Sequence, residues 1–214
     1  MKSAISVILL VILHTLTASA VAALNIAASA EQVRPIQPGQ AAPAFTVYNV
    51  DGSRYDFDPE QLQRPTIIIT FRGGWCPYCN LQLQDLRHVV PELKDAGFDV
   101  LFLSADRPEI LYSSLKDENQ DLPYVILSDS KLQASSALGI AFRVPEAQIE
   151  RMREFGMDLS EASGESHNAL PVPAVFIINQ SGMITYTYAN PDYTVRLSAD
   201  EVRKAALGDN APAL

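Results

Sequence analysis

The chain has 214 residues, 48% of them hydrophobic, which is ample for one buried core, and no internal repeat is visible. The formal net charge is −9; Lys2 is the only charged side chain in the first 30 residues, so the remainder carries 15 basic and 25 acidic groups. That balance argues against nucleic acid or an anionic membrane as the main partner and fits a solubilising surface.

Residues 1–30 start with one positive charge, continue in an apolar run over 5–13 and end in small residues. Ala18-Ser19-Ala20 and Ala28-Ser29-Ala30 both fit small-x-small cleavage sequences, so the segment has the layout of a secretory signal peptide. The uninterrupted run is short against the ~20 residues of a membrane span. Residues 16–26 remain mostly apolar, so a retained N-terminal anchor is the alternative, and only then is a membrane a partner. An exported protein, periplasmic or extracellular, is expected. Residues 31–43, "EQVRPIQPGQAAP", read as an extended lead-in, 44–207 as the folded domain and 208–214 as a flexible tail.

Within the domain, "AFTVYNVDGSRYDF" is two alternating runs around Asp51-Gly52, a hairpin pattern. "TIIITF" (66–71) is a continuous β-branched run, so a central strand covered on both faces. From Pro77 the pattern turns helical, with Leu81, Leu86, Val89 and Val90 on one face, until Pro91 and Gly97 punctuate it. A strand follows at 98–105, a helix at 108–119, a strand at 124–129 and a helix at 130–138 stopped by Gly139. This alternation predicts an open α/β, largely parallel sheet with an antiparallel edge. Residues 145–170 read as an insertion: a helix from Pro145 to Phe155, then the polar, lid-like loop "SEASGESHN". "AVFIIN-QSG-MITYTYA" is a second hairpin. "SADEVRKAAL" is a C-terminal helix with Ser198 as N-cap and Glu201 as its capping-box partner.

The two cysteines of the chain, Cys76 and Cys79, lie together in "FRGGWCPYC" (71–79), where the central strand hands over to a helix. A disulfide across so short a loop removes little chain entropy, so stabilisation explains the spacing poorly. Haem attachment requires histidine where Asn80 stands, and a structural zinc site needs four ligands, for which His88 and His167 have no recognisable spacing. A redox dithiol fits better. The start of a helix offers unpaired N–H groups and partial positive charge to a thiolate, Pro77 costs nothing in the first turn, and i, i+3 spacing sets both sulfurs on one face. Arg72 is the nearby candidate for stabilising a thiolate, and Trp75 for shielding or orienting it. Tyr78 is expected to be exposed. Residues 192–196, "DYTVR", are placed to border the cleft, although a plain loop into the last helix accounts for them better. Glu161, Glu165 and His167 read as a solvated loop.

With strand, WCxxC and helix in order, the segment resembles the thioredoxin fold. More narrowly, residues 38–207 resemble the AhpC/TSA class of peroxiredoxin-like proteins, whose distinguishing N-terminal hairpin and insertion before the last hairpin are both present. The resemblance implies a thiol-dependent antioxidant enzyme that needs no cofactor or metal. It would act on peroxides or protein disulfides and be reset by a thioredoxin- or glutaredoxin-like donor or by glutathione. The peroxiredoxin pattern P-x-x-x-[ST]-x-x-C, laid on Cys79, puts Cys76 where a hydroxyl residue belongs and Arg72 where the proline belongs. The arginine that resemblance expects before the last hairpin is missing from 171–176, "PVPAVF". Thioredoxin-like enzymes instead place a cis-proline there, and Pro173, after Val172, is the counterpart. Two assignments follow. By thioredoxin likeness Cys76 is the exposed nucleophile and Cys79 resolves; by peroxiredoxin likeness Cys79 reacts with peroxide and Cys76 resolves. A disulfide-stapled binding module without turnover is the lesser alternative.

Overall fold

Thr66–Phe71 forms β3, and every residue of it is buried. Successive side chains of a strand point to opposite faces, so β3 feeds two cores. Ile67, Ile69 and Phe71 pack on one side with Cys76, Cys79 and Leu86. Ile68 packs on the other with Leu101, Leu127 and Phe176. Each large apolar side chain buried this way contributes about 1.5–3 kcal/mol, which is why a run with no polar face sits at the centre of the sheet. The structure, a computed structural model, describes residues 24–111 and 125–208. The first 23 residues of the expected signal peptide lie outside the described residues. So do most of the helix expected at 108–119, which begins at Pro108, residue 124 of the strand expected at 124–129, and the tail from 209 on.

The hairpin around Asp51-Gly52 is β1 (Phe45–Tyr48) and β2 (Arg54–Phe57), paired antiparallel. After β3 come α1 (Pro77–Leu86) and α2 (Val90–Asp95). Pro91 does not end the first helix as expected. It occupies the first turn of α2, where its missing N–H is no loss, and the chain turns between Leu86 and Val90. β4 (Asp99–Ser104) and β5 (Val125–Ser128) run parallel to β3. The seven-stranded order is β2-β1-β5-β4-β3-β8-β9, where β8 (Ala174–Ile178) and β9 (Ile184–Ala189) are the second hairpin. The pairings β5–β4 and β4–β3 are parallel and the other four of this sheet are antiparallel. Short turns can join only antiparallel strands, so the two hairpins flank the parallel centre and make the sheet mixed.

α3 (Gln133–Ala137) precedes a small antiparallel sheet of β6 (Ala141–Arg143) and β7 (Ala169–Pro171), two strands too short to be seen in the sequence pattern. The insertion is the chain between them. It carries α4 (Glu146–Glu154) and, where a polar loop was expected, α5 (Leu159–Ser163). Asp158 makes α5 possible: its carboxylate accepts from the N–H groups of Ser160 and Glu161 at 2.8 and 3.2 Å, while Leu159 and Ala162 are buried. Nor is His167 free in solvent. Its Nδ1 accepts from the Ala169 N–H at 3.1 Å, leaving Nε2 to donate to the Ser130 carbonyl at 2.8 Å.

The lead-in is tied down over part of its length. Arg34 and Ile36 donate to the carbonyls of Gly139 and Leu138. A Cβ on Gly139 would stand 2.1 Å from the Arg34 carbonyl oxygen, so glycine both stops α3 and admits the lead-in. α6 (Ala199–Leu207) closes the fold with its capping box formed: Ser198 Oγ accepts from Glu201 N, and the Ser198 N–H donates to Glu201 Oε2. No helix among the described residues is long and apolar enough to cross a membrane.

Candidate active site

β3 ends at Phe71, and six residues later α1 begins with Cys76 as its N-cap and Pro77 behind it. Both cysteines are free thiols on the core side of this turn, 1% and 0% exposed. The expected exposed Cys76 is therefore not found: the i, i+3 geometry that aligns the sulfurs also turns them inward against β3. What distinguishes Cys76 is that it lines an open cleft of about 850 Å³, of which Cys79 is not a lining residue.

The closest cation is Arg196, from the segment between β9 and α6. Its Nη2 lies 3.1 Å from Cys79 Sγ and 3.7 Å from Cys76 Sγ. The guanidinium is held from two further sides, by Nη1 to Gln82 Oε1 at 3.1 Å and Nε to the Tyr193 carbonyl at 2.9 Å. Gln82 is in turn fixed by donating from Nε2 to the Leu197 carbonyl. Cys79, Gln82 and Leu86 form the buried face of α1. Leu81, expected on that face, points to solvent at 64% exposure, because the face is set by where the sulfur must go. Asp85 anchors the far end of the segment by accepting from the Ala199 N–H at 2.7 Å. The 192–196 stretch is thus a wall of the site.

One proton serves two sulfurs here. Burial pushes the Cys79 thiol up. A hydrogen bond from the Cys76 thiol, the Arg196 charge, and the N–H groups of Arg72 and Gly73 outweigh burial and bring Cys79 down to about 6. Cys76 moves the opposite way, held protonated by its bond to Cys79, by burial and by the neighbouring charge. The reduced pair carries its negative charge on Cys79.

Arg72 takes a different place from the expected one. It is 4% exposed and sits between two rings, 4.3 Å from the centroid of Tyr193 and 5.0 Å from that of Trp75. Its contact with the sulfurs is electrostatic: their negative charge favours the charged guanidinium, against the burial that lowers its pKa. Tyr78, 42% exposed, meets Tyr193 edge to face. Pro173 lies just before β8, one residue beyond the Thr70–Ala174 pair and so at the cysteine end of the sheet. The Val172–Pro173 bond is trans, since no peptide bond among the described residues is cis. The cis expectation is corrected. Thr70 Oγ1 accepts from the Ala174 N–H at 3.0 Å and donates to the Val172 carbonyl at 3.1 Å, which satisfies this backbone in its extended trans form.

Asp106 belongs to no motif in the sequence. It lies just beyond the end of β4, fully buried, and its carboxylate accepts from Trp75 Nε1 at 3.0 Å and from the Gly74 N–H at 2.8 Å. A Cβ on Gly73 would meet Trp75 Nε1 at 2.2 Å and the Asp106 carboxylate at 2.5 Å, so this glycine makes room for both. Burial raises the Asp106 carboxyl to about 6 against the two hydrogen bonds, and the Cys79 charge adds to the rise. That repulsion is mutual. Asp106→Asn should therefore lower the thiolate titration midpoint, followed by ultraviolet absorbance. It should also lower stability to urea by about 1–3 kcal/mol, since an amide can accept from only one of the two buried donors. An unchanged midpoint would separate Asp106 from the dithiol.

A mixed α/β sheet of thioredoxin type, with a dithiol at the end of its central strand and the N-terminus of the following helix, defines a thiol-dependent oxidoreductase. The chain matches the AhpC/TSA family over residues 38–187 and belongs to it. It is 33% identical over 108 residues to peroxiredoxin Bcp of Escherichia coli, covering 50% of this chain and 67% of that one. To the thiol-disulfide oxidoreductase ResA of Bacillus cereus it is 25% identical over 105 residues, 49% of this chain and 60% of that one. Among solved structures, peroxidoxin BcpB of Mycobacterium tuberculosis superposes with a TM-score of 0.59 at 14% identity, over 80% of this chain and 94% of that one. Reduced Prx3 of Vibrio vulnificus, in complex with hydrogen peroxide, gives 0.62 at 16%, over 80% and 99%. These two likenesses concern the fold.

Proposed function

We propose that the protein is an exported thiol peroxidase that cycles between the Cys76/Cys79 dithiol and its disulfide. The observation that carries this reading is Arg196 Nη2 at 3.1 and 3.7 Å from the two sulfurs. A fixed guanidinium beside a protonated and an ionised thiol is an activated nucleophile with its resolving partner in place. The Cys79 thiolate attacks one oxygen of the hydroperoxide. The O–O bond breaks, Cys79 keeps the transferred OH as a sulfenic acid, and the alkoxide or hydroxide leaves and takes a proton from solvent. Cys76 sulfur then attacks that sulfur, water leaves with the Cys76 proton, and the disulfide forms. A thioredoxin- or glutaredoxin-like donor, or glutathione, returns two electrons. The test is stopped-flow oxidation of the reduced protein by hydrogen peroxide, with consumption of both thiols faster than for a free thiol. A rate no faster than that sinks the peroxidase reading.

A second reading, exchange with protein disulfides without peroxide chemistry, is favoured by Cys76 alone lining the cleft. Slow peroxide oxidation together with fast exchange against a disulfide substrate selects it.

Export bears on the N-terminus. Within residues 24–30, the Ala27 N–H donates to the Ala141 carbonyl and the Ala27 carbonyl accepts from the Arg143 N–H, both at 2.9 Å, so this segment pairs with the edge of β6. Cleavage after Ala20 keeps that pairing and cleavage after Ala30 deletes it. The mature chain is expected to start at Val21 by intact mass. A start at Glu31 overturns this.

A further inference from the structure

The cleft beside Cys76 lies between the insertion, through α4 and the turn after it, and the wall that carries Tyr193. Most of its lining is apolar, including Met152, Phe155 and Met157. Two of its lining residues are cations, Arg72 and Arg151. Neither forms an ion pair with a carboxylate among the described residues, whereas Arg153, two residues along α4, faces both Glu146 and Asp158. Arg72 is buried, and its Nε has no hydrogen-bond partner among the described residues. Two guanidiniums with no carboxylate partner among the described residues, on one apolar cleft in a chain of net charge −9, make a local site for an anion. The cleft volume, about 850 Å³, falls in the range of small-molecule sites.

What enters there meets Cys76, the sulfur of the pair that lines the cleft. In the oxidised enzyme, attack on Cys76 makes Cys79 the leaving group. A thiol leaves faster the lower its pKa, and Cys79 is the sulfur that Arg196 holds at 3.1 Å. The cleft therefore suits the reducing half of the cycle. We propose that it binds a small thiol reductant with an apolar body and a carboxylate, the carboxylate paired with Arg151 at the rim and drawn by the Arg72 field. This rests on the reading that the Cys76–Cys79 disulfide is the oxidised form.

For a dithiol reductant, one thiolate attacks Cys76 Sγ. The Cys76–Cys79 bond breaks, its electron pair goes to Cys79, and a mixed disulfide forms on Cys76. The reductant's second thiol then attacks its own sulfur in that bond and closes a cyclic disulfide. Cys76 leaves and takes up the proton given up by that second thiol. The reductant loses two electrons and the enzyme gains them.

The probes are dihydrolipoate and dihydrolipoamide, which share an apolar dithiol body and differ in the carboxylate. The full-length enzyme is oxidised beforehand with diamide, so the reductive half-reaction is measured whether or not peroxide forms the disulfide. The peroxide reading is tested separately, on the reduced enzyme. Reduction is followed by Trp75 fluorescence, Trp75 being the single tryptophan of the chain, and by thiol counting. Dihydrolipoate is expected to reduce the enzyme roughly two- to fivefold faster than dihydrolipoamide, the scale of one ion pair to the exposed Arg151. Arg151→Glu is expected to remove that preference, read as the ratio of the two rates in the same variant. Raised salt should narrow the preference as well. Equal rates with the two probes, a preference that survives Arg151→Glu, or efficient reduction only by a thioredoxin-type protein would each overturn the proposal.

Discussion

Cys76→Ser should still react with one equivalent of hydrogen peroxide and stop there, with a sulfenic acid on Cys79 detectable by a dimedone adduct in mass spectrometry. Cys79→Ser should lose the fast reaction, with a rate constant lower by on the order of a thousandfold or more. The asymmetry follows from charge and not from sequence order. Cys79 holds the thiolate at about 6 because Arg196 is nearer to it, because it accepts from the Cys76 thiol, and because two backbone N–H groups point at it. Neither variant can form the intramolecular disulfide, so catalytic turnover through it ends in both. Thioredoxin likeness predicts instead that Cys79→Ser traps a protein disulfide on Cys76. If Cys79→Ser keeps the peroxide reaction and Cys76→Ser loses it, the nucleophile is Cys76 and the assignment reverses.

Arg196→Gln should produce the other large effect. With the thiolate midpoint near 6, about nine-tenths of Cys79 is ionised at pH 7. At the ordinary cysteine value near 8.5 only ~3% would be. Arg196 is one of several groups that lower Cys79, beside the Cys76 thiol and two backbone N–H groups, so its loss is expected to slow peroxide oxidation at pH 7 by at most roughly thirtyfold, the limit for a thiol returned to its ordinary value. The sign follows from ionisation: a depressed thiol pKa gives a rate that rises through pH 6 and is flat above pH 7. The variant's rate should instead keep climbing to about pH 9, where the two profiles converge. Stopped-flow rates from pH 5 to 9 decide it. Matching profiles would mean that Cys79 owes its charge to the backbone N–H groups and Cys76 alone. Arg72→Gln serves as the comparison, since that guanidinium rests between Trp75 and Tyr193 and should shift the midpoint less.

Arg72 and Arg196 show why local reading reached part of the site only. Arg72 is the candidate that nearness in sequence to the cysteines offers. It does enter the site, but against two aromatic rings. The cation that touches sulfur comes 117 residues after Cys79, from a segment that bears no motif. Asp106 is 31 residues from the indole it holds. It lies just past the end of β4, which pairs in register with β3, and nothing in the strand pattern says that a carboxylate there would face Trp75. Pro173 stands before a strand as the thioredoxin likeness requires, but a place in the chain does not set the isomer: the bond is trans, and Thr70 Oγ1 bonds the backbone on either side of it.

The sequence by itself determined the strand, the turn and the helix that present the dithiol. Those depend on short-range rules: a β-branched run buried on both faces, a proline in the first helical turn, and three-residue spacing on one helix face. It also determined both hairpins and the capped last helix, whose turn and cap residues act within a few positions. The tertiary structure alone decided how the dithiol is charged and reached. Which sulfur ionises depends on the Cys76 thiol, Arg196 and the backbone N–H groups gathered around Cys79, and which sulfur meets the cleft depends on how α4 and the Tyr193 segment enclose it. Electrostatic energy follows separation in space, and the groups that set it here are brought together by a sheet whose neighbouring strands are far apart in the chain.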